Sequence, residues 1–155
     1  VEGGTKLWLS GLVIAVVVLG TVGAIEVWHG TRRNTARDDC TVVEQLAHQY
    51  IASKQSVTTL ESGPGDTKDL IAIADSESAM SDKIRSGEAR VSASEIKDEL
   101  EQWAQGTALS AKLQRDAVDQ SQQPSDDADF VRAGKIAYNA TAALHVACPN
   151  MPTSQ

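Results

Sequence analysis

Residues 38–60 read DDCTVVEQLAHQYIASKQSVTTL. Val43, Leu46, Tyr50, Val57 and Leu60 recur there at three- and four-residue steps, with Ser53 filling the remaining slot. A strand would alternate by two. This spacing brings one side chain after another to the same stripe of a helix, so the segment predicts an amphipathic helix from about Asp38 to Leu60. Ser62-Gly63-Pro64-Gly65 follows. Glycine accepts the left-handed helix stop and proline cannot continue a helix interior, so the helix is expected to end there.

Three more segments carry the same periodicity. Asp66 is placed to cap a second helix from Thr67 to about Ser86, with Leu70, Ile71, Ile73, Ala74, Met80 and Ile84 inward and Gly87 closing it. Ser92-Ala93-Ser94-Glu95 has the spacing of a capping box and predicts a third helix from about Ala93 to Gln120. Its inner stripe is Ile96, Leu100, Trp103, Thr107, Ala111 and Val118, widened by Leu109 and Leu113. Gln122-Gln123-Pro124-Ser125 reads as a turn. A fourth helix then runs from Asp126 to about Cys148, with Phe130, Ala133, Ala137, Ala140, Thr141 and Leu144 inward, and Pro149 and Pro152 prevent its continuation. Short loops between long helices favour antiparallel neighbours, so residues 38–148 are expected to form an up-down-up-down four-helix bundle, with 149–155 as a tail.

An even number of helices puts the start of the first and the end of the fourth at one end of the bundle. Cys40 and Cys148, remote in sequence, are thereby brought together, and a disulfide between them is expected. Two unpaired buried thiols are the alternative. Because a disulfide persists in an oxidising compartment, the bridge argues for an extracytoplasmic, periplasmic-side domain. It would also hold the tail of the bundle next to whatever precedes the first helix.

Upstream, Leu7 to Val27 reads LWLSGLVIAVVVLGTVGAIEV, uncharged until Glu26. Taken to Trp28, the segment spans roughly 33 Å as a helix, enough for the hydrocarbon core of a bilayer. Trp8 and Trp28 stand at its two ends, where indoles favour the headgroup boundary. A transmembrane helix is therefore predicted over 7–28, after a flank of residues 1–6 and before a juxtamembrane linker at 29–37. The rival is a cleaved signal peptide with Val22-Gly23-Ala24 as its cleavage site, but the chain carries the segment intact. Gly11/Ala15 and Gly20/Ala24 are small pairs spaced to let another membrane helix approach, although glycine is common in membrane helices in any case. Arg32, Arg33 and Arg37 follow the segment and only Lys6 precedes it, which by charge alone would put the bundle in the cytoplasm. The chain opens on Val1, so further upstream residues with compensating charge are expected. The cysteines decide the orientation outward.

The chain has 155 residues, 14 Lys/Arg, 21 Asp/Glu and a net charge of −7. Of these charges only Lys6, Glu2 and Glu26 precede His29, so the bundle is itself acidic. An acidic surface repels phosphate backbones, which argues against nucleic-acid binding. No cofactor, metal or catalytic site is expected. His145 and Cys148, one turn apart, could join Cys40 at zinc, but the site lacks a fourth ligand and His48 lies two turns beyond Cys40. His29 is read as an interfacial residue. There is no Cys-x-x-Cys-His haem run, no phosphate loop and no nucleophile elbow. Glu77 occupies a core slot between Ile73 and Met80 and is expected to turn to solvent. The clusters Asp98, Glu99, Glu101 and Asp126, Asp127, Asp129 read as solvated faces and helix starts. Asn139-Ala140-Thr141 matches a glycosylation sequon in mid-helix, where the match is read as accidental.

Two functions remain. One is a non-catalytic accessory subunit of a larger membrane protein complex, docking through its membrane helix and its bundle. The other is a ligand-binding or sensory bundle that acts through a partner, since the plan resembles the extracytoplasmic bundle of bacterial chemoreceptors. It departs from them in having one membrane helix and no visible signalling region. In its Ala/Asp/Val/Thr-rich style, single anchor and Cys40/Cys148 pair, the chain also resembles small single-pass accessory membrane proteins of actinobacteria. Auxiliary subunits of Mce-type lipid transport complexes are among them. The resemblance covers the plan and no motif, and it implies a lipid transporter as partner.

Overall fold

A computed structural model describes residues 35–59, 67–119 and 127–153. The predicted membrane helix at 7–28, with Trp8, Gly11, Ala15, Gly20, Ala24 and Trp28, lies outside them, as do His29, Leu60, the 62–65 stop, the Asp66 cap and the 122–125 turn. Among the described residues no helix is long and apolar enough to cross a membrane. The chain divides into two compact units, Val1–Arg37 and Asp38–Gln155, and the helical bundle belongs to the second.

The described residues form four helices and no strand: α1 over 35–59, α2 over Thr67–Glu88, α3 over Ser94–Asp119 and α4 over Asp127–Ala147. Contacts advance along one helix as they fall along its neighbour, which makes each successive pair antiparallel. Between α1 and α2, Leu46 meets Gly87 while Ser53 bonds Ser76. Between α2 and α3, Glu77 bonds Gln114 while Ser81 bonds Ala104. α3 meets α4 at Gly106 and Ala137, and α4 returns to α1 at the cysteines. The result is a closed four-helix bundle.

Trp103 lies at the centre, fully buried with Val43, Ile84, Leu100 and Leu144 around it. Most residues expected inward are buried. Ile71 is the exception on α2, 41% exposed, because the buried face there follows Ile73, Ala74, Glu77, Met80 and Ser81. The core also extends past α4. A turn from the Met151 N–H to the Cys148 carbonyl folds the chain back, and Met151 joins the core.

Two local expectations give way to packing. Gly87 does not stop α2 but lies one residue before its end, packed against Leu46 of α1, whose Cδ1 would be 2.5 Å from a Cβ at this position. The Ser92/Glu95 capping box does not form. Asp39 of α1, 2% exposed, reaches across instead, and its two carboxylate oxygens accept the Ser92 and Ala93 N–H groups at 3.0 and 2.9 Å. Asp39 thus takes the Ser92 N–H that the Glu95 side chain would accept in a capping box.

Candidate functional site

The disulfide end is built from one turn of α1. Cys40 is bonded to Cys148 with Cα atoms 5.3 Å apart, and its neighbour Asp39 holds the start of α3. With both sulfurs in the bridge, the zinc alternative loses two of its three ligands. Its third, His145, uses Nδ1 to donate to the Met151 carbonyl at 3.1 Å. His48 is exposed on α1. No group of three His, Cys, Asp or Glu side chains able to hold a metal occurs among the described residues.

Nearer the other end, a polar network crosses three helices. Glu77 is buried rather than solvent-facing: one oxygen takes Lys54 Nζ of α1 at 2.9 Å, the other Gln114 Nε2 of α3 at 3.0 Å. Ser53 and Ser76 bond at 2.9 Å beside it, and Arg115 reaches Asp75 at 2.8 Å. Every oxygen of the carboxylate is met, which is what permits its burial. The arrangement ties α1, α2 and α3 together. Lys54 also lies 5.6 Å from the centre of the Tyr50 ring, which meets Trp103 edge to face at 5.2 Å. Burial raises the Tyr50 phenol above the ordinary tyrosine value; the Lys54 ammonium pulls it back and the Glu77 carboxylate adds to the rise.

Between α1 and α4 runs a half-open groove of about 320 Å³. Ala47, Tyr50 and Ile51 line one wall, Tyr138 and Ala142 the other, and Trp103 borders it from beneath. Two of its polar groups are bonded within the chain. Thr141 Oγ1 donates to carbonyls of its own helix, and His145 Nδ1 is taken by Met151. Trp103 Nε1 has no hydrogen-bond partner and is closed off from solvent.

The outer surface of α4 carries a residue pattern that the inward periodicity masks in the sequence. Val131, Tyr138 and Val146 are 69%, 71% and 82% exposed. Val131, Tyr138 and exposed Ala142 return to one stripe of the helix, whereas Val146 is turned about 80° from Tyr138 toward α3, where it borders Glu95 and Glu99. This stripe stands well away from the inward one at Ala133, Ala140 and Leu144, so a second apolar period on α4 was the signal for it. Gly134 lies beside it with open space where a Cβ would be. Asn139 is exposed in mid-helix. Comparison of the chain with known protein families, with curated proteins and with solved structures finds no match.

Proposed function

We propose that this chain is a non-catalytic, single-pass accessory subunit of a larger membrane protein complex, with its bundle on the extracytoplasmic side. The observation that carries the reading is the apolar stripe on α4. Of the four large hydrophobic side chains that stand exposed among the described residues, three are on α4, Val131 and Tyr138 on that stripe and Val146 turned toward α3, and the fourth is Ile71. Single exposed hydrophobics are ordinary, but a row of them on one helix is the mark of a surface that packs against something. The apolar sequence of Leu7–Trp28 supports membrane attachment, and the Cys40–Cys148 bridge supports an oxidising compartment. The resemblance to auxiliary subunits makes a lipid transport complex the first partner to look for.

The test is recovery of the tagged full chain from gently solubilised membranes. Stoichiometric co-purification with a membrane complex, weakened by Val131→Asp, is the expected result. A chain recovered alone from membranes, or found in the soluble fraction, would sink the reading.

A further inference from the structure

A second groove, of about 480 Å³, opens where the start of α3 meets the end of α4. Val146 and Ala147 of α4 line one side, and Glu95, Ile96, Asp98 and Glu99 of α3 line the other. Val146 is 82% exposed. Among the described residues none of the three carboxylates forms an ion pair or a side-chain hydrogen bond. Lys97, between them in sequence, is turned about 100° from Asp98 on the helix. Lys135, the nearest Lys or Arg of α4 to Val146, lies about 16 Å away along the axis. A helix start favours acids, but only Glu95 falls in the first turn of α3. Asp98 and Glu99 stand beyond it, and Glu95 and Glu99, four residues apart, repel each other on the helix surface. The bundle itself leaves that repulsion uncompensated.

We propose that this groove seats a short basic, amphipathic segment of a partner protein, with an apolar side chain resting on Val146 and Lys or Arg reaching the carboxylates of α3. The proposal rests on the accessory-subunit reading and names the chemistry of the partner. Charge complementarity selects the occupant, because an exposed apolar side chain framed by unpaired acids is matched by an apolar side chain framed by cations. A metal ion does not fit, since no three carboxylates among the described residues converge closely enough to hold one. A second copy would bring a net charge of −7 to an acidic rim, and an anionic lipid surface would be repelled by it. Residues 143–147 span about 6 Å of α4, so the contact takes one or two turns of the partner rather than a long helix.

The experiment uses the full chain in its own membranes, with the photo-crosslinker p-benzoylphenylalanine placed at Val146 or, as a control, at Ile71, an exposed apolar residue of α2. The expected result is an adduct from Val146, and none from Ile71, to one protein segment with Lys or Arg flanking its apolar positions. D98N with E99Q should lower the adduct yield about tenfold, a loss that two well-placed ion pairs at a contact rim can supply. The same pair should leave the urea midpoint of the chain level or raise it, because a repulsion is removed. A lower midpoint would assign these carboxylates to the fold and overturn the proposal, as would an undiminished adduct yield. An adduct to lipid, to a second copy, elsewhere in the same chain or to a segment without Lys or Arg also overturns it. So does a complex that co-purifies without a Val146 adduct, an outcome that leaves the accessory reading standing. Loss of both co-purification and adduct removes that reading too.

Discussion

Replacing Cys40 and Cys148 by alanine, or reducing the bridge, releases a loop whose ends are 108 residues apart. In the chain-entropy model a loop of that length removes about 16 cal/mol/K from the unfolded ensemble, or about 4.8 kcal/mol at 25 °C. Whole domains of this size are stable by only about 5–15 kcal/mol, so the bridge would account for a large share of the total. Reduction is the cleaner perturbation because it keeps both sulfur atoms. The alanine pair also empties space at Cys148, 1% exposed, for about 1 kcal/mol more. With Trp8 and Trp28 changed to Phe, buried Trp103 is the sole indole and reports unfolding by its fluorescence. Urea titration of the full chain in mild detergent, with and without reductant, then gives the difference directly. At a slope of about 1.5 kcal/mol/M the midpoint should fall by about 3 M on reduction. A fall worth less than about 1 kcal/mol would refute the reasoning, because the unfolded chain would then be gaining little freedom from losing the link.

Other substitutions probe the rest of the bundle. Asp39→Ala strands the Ser92 and Ala93 N–H groups and should cost about 2–4 kcal/mol in urea unfolding, with Asp39→Asn intermediate because one oxygen remains. Gly106→Ala should destabilise by about 1–3 kcal/mol despite alanine's better helix propensity, since its Cβ would meet the Ala137 N at 2.7 Å; Gly134→Ala, facing open space, should instead stabilise by up to about 1 kcal/mol. Glu77→Gln should lower the thermal midpoint by setting an amide against Lys54 and Gln114, whereas Glu77→Met combined with Gln114→Leu should come out near neutral. Tyr50 has its pKa raised on folding by burial, so the unfolded chain loses that proton first; stability should be intact below about pH 10 and fall as pH rises beyond it, and Tyr50→Phe should flatten that decline in urea titrations between pH 9 and 11.5.

The fold was legible because its signals are local and repeated. Four periodic segments separated by breakers leave few arrangements, and an even helix count brought Cys40 to Cys148 without any knowledge of contacts. The failures share a different cause. Glu77 sits in a slot that periodicity marks as inward, while its charge argues outward; the decision rests with Lys54 and Gln114, which lie 23 and 37 residues away on other helices. Ser92 and Glu95 have the spacing of a capping box, yet a carboxylate 53 residues upstream takes the Ser92 donor. Gly87 reads as a terminator because glycine usually frees the backbone, but here it makes room for Leu46. In each case the competitor arrives only once the helices are side by side. The α4 stripe was different, since Val131, Tyr138 and Ala142 are visible as a second period and were obscured only by attention to the first.

The stability of the disulfide end bears directly on the proposed docking. Asp39 and Cys40 are adjacent on α1, and between them they fasten its first turns to the start of α3 and the end of α4. The same bridge joins the two helices that form the α1–α4 groove, and His145 and Met151, which border that groove, are bonded to each other just beyond it. The width of that groove is therefore set at one end by a covalent link and along its floor by Trp103 against Tyr50. A groove held at fixed width leaves little of this chain to order when it is covered, and affinity between proteins depends heavily on how much ordering remains to be done at the interface. The disulfide is then more than a brake on unfolding. By holding α1 and α4 at one spacing, it fixes the groove between them.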